Sequence, residues 1–351
     1  MRNVLYTSRN GRLGWPCPPE AQEYIGPAVR FSVRQSAWRN WARAKSALAT
    51  FVLLGCLFSA SRMAAQEPLA LTAMADSLRE AGDLPGAIAL YRQGYEQDAA
   101  NFTNTYNLAC SYALLNNRDS AFYFLEQALP ADSTVLMMRD PDLVYLYEDE
   151  RYEELAEKQI KKVEAVNGPY ENLELARRLW RMFQTDQAFY YQVQLASEEM
   201  GRYNPISPAL WHLKHRINDQ NQKELVAILE EQGWPERSAV GGTAASAAFL
   251  VIQHADYELQ KRFLPMIEAA CEEGEASWSS YALMYDRIQV REDKPQKYGS
   301  QVRFNAETNN YEPFPILEPE YVNQRRAEVG LGPIEAYLAR WDIEWEVPQK
   351  E

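Results

Sequence analysis

Along most of this chain apolar residues recur at helical spacing with polar residues between them, and strand-like alternation is confined to residues 287–316. Between residues 75 and 128 the helical pattern repeats itself. Ala75, Leu78, Gly82, Ala87 and Tyr91 align with Ala109, Tyr112, Asn116, Ala121 and Leu125, each pair 34 residues apart, and Gly94 aligns with Ala128 at the same interval. Small residues at matched places let two helices cross closely. Gly82 and Asn116 stand where a chain leaving a helix must turn. Leu143, Leu146 and Leu155 continue the spacing as a looser third unit, opened by Asp140-Pro141, a cap followed by a first-turn proline.

Gly168-Pro169 interrupts this pattern. Beyond it, Leu173, Leu175, Leu179 and Phe183 form a helical stripe. Leu225, Ile228 and Leu229 predict a second helix over 222–232, ended by Gly233-Trp234-Pro235. Thr243 opens an alanine-rich stretch, AASAAFLVIQHA, expected to be a buried helix. Asp256 is placed to cap the next one, which holds Phe263, Ile267 and Ala270, is kinked by Pro265 and closes at Gly274. Arg287–Val290, Tyr298–Phe304 and Tyr311–Ile316 then predict short strands, with Asn309-Asn310 as a hairpin turn. A helix from about Glu318 should stop at Gly330, and a last one should cover Glu335 to Trp341.

The 34-residue period is that of tetratricopeptide repeats, and residues 68–165 resemble that family. The resemblance implies antiparallel helix pairs and a concave surface for a peptide or a partner protein. Some members clamp a C-terminal carboxylate with Lys, Arg and Asn. Asn107 matches one clamp place, but the equivalent place one repeat earlier is Ala73, with Asp76 one turn on, so carboxylate capture is not expected. The alternative is that the array packs against the next domain. Further along, GWP at 233–235, Gly241, QHAD at 253–256, DRIQV at 286–290, KPQKYGSQ at 294–301 and QRRAEVGLGPI at 324–334 follow one another in an order and spacing that resembles an uncharacterised bacterial family, the domain of unknown function numbered 6624, over roughly 170–340. That resemblance implies no reaction. It implies an Arg soon after Asp186-Gln187, where this chain has Tyr190 and Tyr191. The expected fold class is mainly α: tetratricopeptide-like helical hairpins over 66–167, then a mostly helical α+β domain over 168–351 with a small antiparallel sheet.

Residues 1–65 change the picture of where the protein works. Residues 46–60, SALATFVLLGCLFSA, form an apolar run too short to span a bilayer comfortably. Arg39, Arg43 and Lys45 precede it and SASRMAAQEP follows, which reads as a secretory signal peptide cleaved after Ala65. The leader before it is awkward for such a signal, and initiation at Val29 or Val33 would shorten it. Leu53-Leu54-Gly55-Cys56 also resembles a lipobox, in which Cys56 would carry a lipid anchor. The expectation is an exported protein, periplasmic or secreted, or a lipoprotein, with no membrane span in its mature part.

Charge supports this division. Residues 1–66 hold nine basic side chains against Glu20 and Glu23, while the whole chain is at −13, so the rest carries twenty more acids than bases. A body that acidic repels phosphate backbones, and nucleic acid is not an expected partner. Cys110 and Cys271, widely spaced, are read as small buried hydrophobes.

The candidate chemistry is sparse. His254 follows an apolar helix, two residues before Asp256. A histidine beside a carboxylate can serve as a general base, so His254 with Asp256 or Asp286 is the candidate catalytic set. Arg287, Gln296, Tyr298, Gln301, Arg325 and Arg326 could surround an anion or a sugar, or equally brace a hairpin against a helix; Asn107 is the candidate ligand residue of the array. His212 and His215 share a helix face without an HExxH motif or a nearby Cys pair, so no metal or other cofactor is expected. Two functions stay open: an interaction or ligand-binding protein with the array as scaffold, and a hydrolase-like enzyme built on His254.

Overall fold

The computed structural model describes residues 67–201, 204–305 and 307–350; the expected leader, signal peptide and Cys56 anchor lie outside them. The chain is mainly α with one small antiparallel sheet.

Helices α1 (Glu67–Glu80) and α2 (Leu84–Gln97) form a first hairpin, and α3 (Phe102–Leu114) and α4 (Arg118–Ala128) a second. The 34-residue repeat carries real geometry. Gly82 and Asn116 both take left-handed backbone, at φ +83° and +55°. The next residues, Asp83 and Asn117, both cap a helix, accepting from the backbone N–H of Gly86 and Ser120. Ala75, Ala87, Ala109 and Ala121 are fully buried where the helices cross, as their small side chains require.

The third unit departs from the pattern. A short helix α5 (Leu136–Arg139) precedes Asp140, which caps as expected, but the segment after it is a 3-10 turn, Pro141–Leu146, rather than an α-helix. Leu143 and Leu146 are buried nonetheless. Helix α6 (Glu150–Asn167) follows and ends at Gly168, φ +87°.

Then come α7 (Leu173–Gln187), α8 (Tyr190–Met200), α9 (Ile206–Gln232), the short α10 (Arg237–Val240), α11 (Gly242–Gln253), α12 (Tyr257–Glu272) and α13 (Trp278–Arg291). Helix α9 begins at Ile206 rather than near residue 222. The strand expected at Arg287–Val290 is instead the last turn of α13. There Tyr281, Met284 and Ile288 are buried at helical spacing, whereas Val290 is only half-buried, so the apparent two-residue alternation does not govern. The alanines of α11 let it lie closely along α7, and both helices end at the same place. One hydrophobic core runs without a break from Ala75 to Ile288, across the Gly168 turn.

Strands β1 (Val302–Asn305) and β2 (Asn310–Pro313) pair antiparallel, with Val302 opposite Pro313 and Asn305 opposite Asn310, and Asn309 turns at φ +57°. They are shorter than the sequence suggested. A 3-10 turn (Pro319–Tyr321), α14 (Val322–Glu328) and α15 (Ile334–Leu338) close the chain over a second small core of Val322, Ile334, Tyr337 and Leu338. Among the described residues no helix is long and apolar enough to cross a membrane. Cys110 and Cys271 are both buried and unbridged.

Candidate functional site

The parallel packing of α7 and α11 sets Asp186, in the last turn of α7, beside His254, which caps the end of α11. Nδ1 of His254 lies 2.8 and 3.0 Å from the two Asp186 carboxylate oxygens, across 68 residues of sequence. The Asp186 side chain is 1% exposed and that of His254 12%. A helix C-terminus favours a cation, which suits His254 and makes Asp186 the costly member. Its carboxyl is nevertheless held below the usual range. Burial works to raise it, but the His254 charge and hydrogen bond, the Lys214 ammonium and the Gln187 amide together prevail.

Lys214 is the third ionisable group. It lies on α9, is 1% exposed, donates to the backbone carbonyl of Asp186 and rests 3.7 Å from the centroid of the Tyr190 ring. Thr185, just before Asp186, and Asn221, two turns beyond Lys214, also join α7 to α9. The backbone around His254 is pinned as well. Gln260 donates to the carbonyls of Gln253 and Ala255, Arg287 to that of Gln253 at 2.8 Å, and Gln222 to that of His254. The imidazole is therefore fixed from its main chain and from Nδ1, and α7, α9 and α11 supply a carboxylate, an ammonium and an imidazole to one place. Such a cluster can hold or move a proton.

The other expected partners of His254 do different work. Asp256 is exposed and caps α12 by accepting from Leu259 N–H at 2.9 Å. Asp286, fully buried, accepts from the backbone N–H groups of Lys297, Tyr298 and Ser300 at 2.7–3.1 Å. Burial pushes its carboxyl up against the pull of those amides. Gln296 ties its loop together through the Gln301 and Phe314 backbone, and Gln301 donates to Ser300. Arg325 donates to the Lys297 carbonyl and Arg326 to those of Tyr298 and Gly332. The residues expected to surround a ligand, Gln296, Tyr298, Gln301, Arg325 and Arg326, thus brace the 296–301 loop. Arg287, from the same set, donates instead to the carbonyl of Gln253, the residue before His254. Asn107 donates to Asp76 inside the array, and Tyr91 donates to the same carboxylate.

Sequence reasoning named Asp186 only through the resemblance and missed Lys214. The usable signal was its place on α9, where Lys214, Asn221, Leu225, Ile228 and Leu229 share one buried stripe. Elsewhere, Cys110, Asp140 and Asp142 bring ligand atoms within 4.8 Å of one another, but the Arg79 guanidinium pairs with Asp142 and already supplies the positive charge a metal ion would.

By fold and site, the 173–345 region is a mostly helical unit with a buried carboxylate–imidazole pair and a buried ammonium beside it. Residues 173–345 match the model of the Family of unknown function (DUF6624). The match opens at the first residue of α7 and takes in Asp186, Lys214, His254 and the Asp286 loop, leaving out α1 to α6. No curated protein and no solved structure matches the chain.

Proposed function

We propose that the 173–345 unit is a hydrolase-like enzyme in which His254, oriented by Asp186, is the general acid–base. The observation that carries this reading is the Asp186–His254 contact itself: a nearly buried carboxylate gripping Nδ1 of an imidazole that keeps 12% of its surface open. Fixing one ring nitrogen this way orients the imidazole, whose proton affinity near neutral pH suits it to exchange a proton with a bound molecule or a water. Burying three ionisable groups together costs stability, and such clusters gather at working sites.

The test is a screen of the mature chain against chromogenic esters, amides, glycosides and phosphoesters, beside His254→Gln and Asp186→Asn. Loss of a general acid–base should cut the rate by roughly 10²–10⁴. Hydrolysis undiminished in folded His254→Gln would sink the assignment.

A second reading concerns α1 to α6, taken as a tetratricopeptide-like scaffold for a protein or peptide partner. It is favoured by Tyr123, 52% exposed, which stands edge-on to Phe124 in a ring cluster with Tyr95 and Tyr112. Pull-downs with wild type and Tyr123→Ala test it, and a partner retained equally by both would count against that surface. Export is part of the same proposal. Sequencing the mature N-terminus should read Gln66 or Glu67, or reveal a lipidated Cys56.

A further inference from the structure

The first turn of α8 touches two parts of the molecule at once. Tyr190 lies under the Lys214 ammonium, which donates to the Asp186 carbonyl. The next residue, Tyr191, donates its hydroxyl to the backbone carbonyl of Arg79 at the end of α1. One turn on, Leu195 packs so closely on Gly82 that an added Cβ there would come within 2.9 Å of it. Gln192 donates to the Tyr145 hydroxyl in the 3-10 turn, at 3.3 Å, and that turn also holds Asp142, the partner of the Arg79 guanidinium. Phe189, immediately before the helix, stands edge-on to Tyr145 in left-handed backbone at φ +71°. A bulky residue is costly in that conformation and persists where its surroundings enforce it.

We propose that Tyr191 is a positioning residue for the Asp186–His254 pair: by holding α8 against Arg79 and Gly82 it keeps Tyr190 on Lys214, so that the N-terminal hairpins complete a site they do not touch. Tyr190 and Tyr191 are neighbours in the first turn of one helix. Residues 190 and 191 leave the helix in different directions, one toward the site and one toward the hairpins. Residues 186 to 190 are the only covalent link between the end of α7 and the start of α8, so a shift of that turn moves the Asp186 carbonyl and its ammonium together. The charged groups gathered here are Asp186 from α7, on Nδ1 of His254, Lys214 from α9, on the Asp186 carbonyl, and Arg287 from α13, on the Gln253 carbonyl. Displacing Lys214 alters the field at the imidazole without any change in its own contacts.

The proposal rests on Asp186–His254 as the working pair, and the experiment separates the two. The full mature chain is titrated by NMR, following its three histidines; His212, exposed on α9, serves as the internal control, whereas His215 reaches Tyr190 through Trp211 and does not. Tyr191→Phe and Leu195→Ala should each move the His254 midpoint by roughly 0.5 pH unit while His212 stays put. Phe124→Leu, which loosens packing within the array, should leave all three unchanged. If Asp186→Asn moves the His254 midpoint but neither α8 variant does, the coupling is wrong and the pair stands. If Phe124→Leu moves it as far as Tyr191→Phe, the effect is general loosening and the coupling is again overturned. If Asp186→Asn moves nothing, the pair itself fails and the coupling falls with it.

Discussion

Two buried carboxylates in the same unit are neutralised in opposite ways. Asp186 faces side chains that can carry charge, His254 and Lys214, and is held below the ordinary carboxylate range. Asp286 faces the backbone amides of residues 297, 298 and 300, and burial drives it upward. Fixed amides cannot change charge, so Asp286 specifies a loop. An imidazole can, so Asp186 specifies a state. Of the two carboxylates, this separates the one belonging to the fold from the one belonging to the site, although both are invisible from solvent.

The comparison is broken most forcefully at Asp286. Asp286→Ala should leave several buried amides unpaired and lower unfolding stability by about 3–5 kcal/mol in a denaturant titration. Asp186→Asn should cost less, about 1–3 kcal/mol, because hydrogen bonds to the amide can remain, yet it should reduce any His254-dependent hydrolysis at least 100-fold. A cost at Asp186 larger than at Asp286, with activity intact, would reverse the assignments.

Acidity sharpens the contrast because the two shifts have opposite sign. Asp186, depressed in the folded chain, contributes stability that is present above about pH 4 and lost as pH falls through its lower folded value. Asp286, raised, contributes stability that is present below about pH 4 and lost as pH rises through its higher folded value. Melts across this range should therefore show Asp186→Asn flattening the acid limb and Asp286→Asn flattening the decline above it. The smallest effect is expected at Asp256, where Asp256→Ala should cost about 1 kcal/mol as a lost helix cap and leave His254 alone.

Much of the fold was legible because local chemistry decides it. Gly82 and Asn116 terminate helices, Asp83 and Asn117 start them, and the alanines at the crossings recur with the same period. Gly233 and Asp256 delimit helices for the same reasons. The errors lie where tertiary context overrides local pattern. DRIQV alternates like a strand, yet Ile288 continues a helical stripe of α13 that began upstream with Tyr281 and Met284. The start of α9 was hidden because a mostly polar run, residues 214–223, separates its first turns from the apolar stripe of Leu225, Ile228 and Leu229. The site was the least legible part. His254 stood out by rarity, but its neighbours in sequence gave the wrong partner, since Asp256 serves the backbone of the next helix. The true partner comes from 68 residues away, by way of the α7–α11 packing that the alanines permit.

The most direct test of the account is the titration of His254 in wild type, Asp186→Asn and Asp256→Asn. Removing the buried anion should lower the His254 midpoint by about 1 pH unit or more, whereas Asp256→Asn should leave it where it was. A His254 midpoint that ignores Asp186, or that answers equally to Asp256, would contradict the pairing on which the proposed site is built.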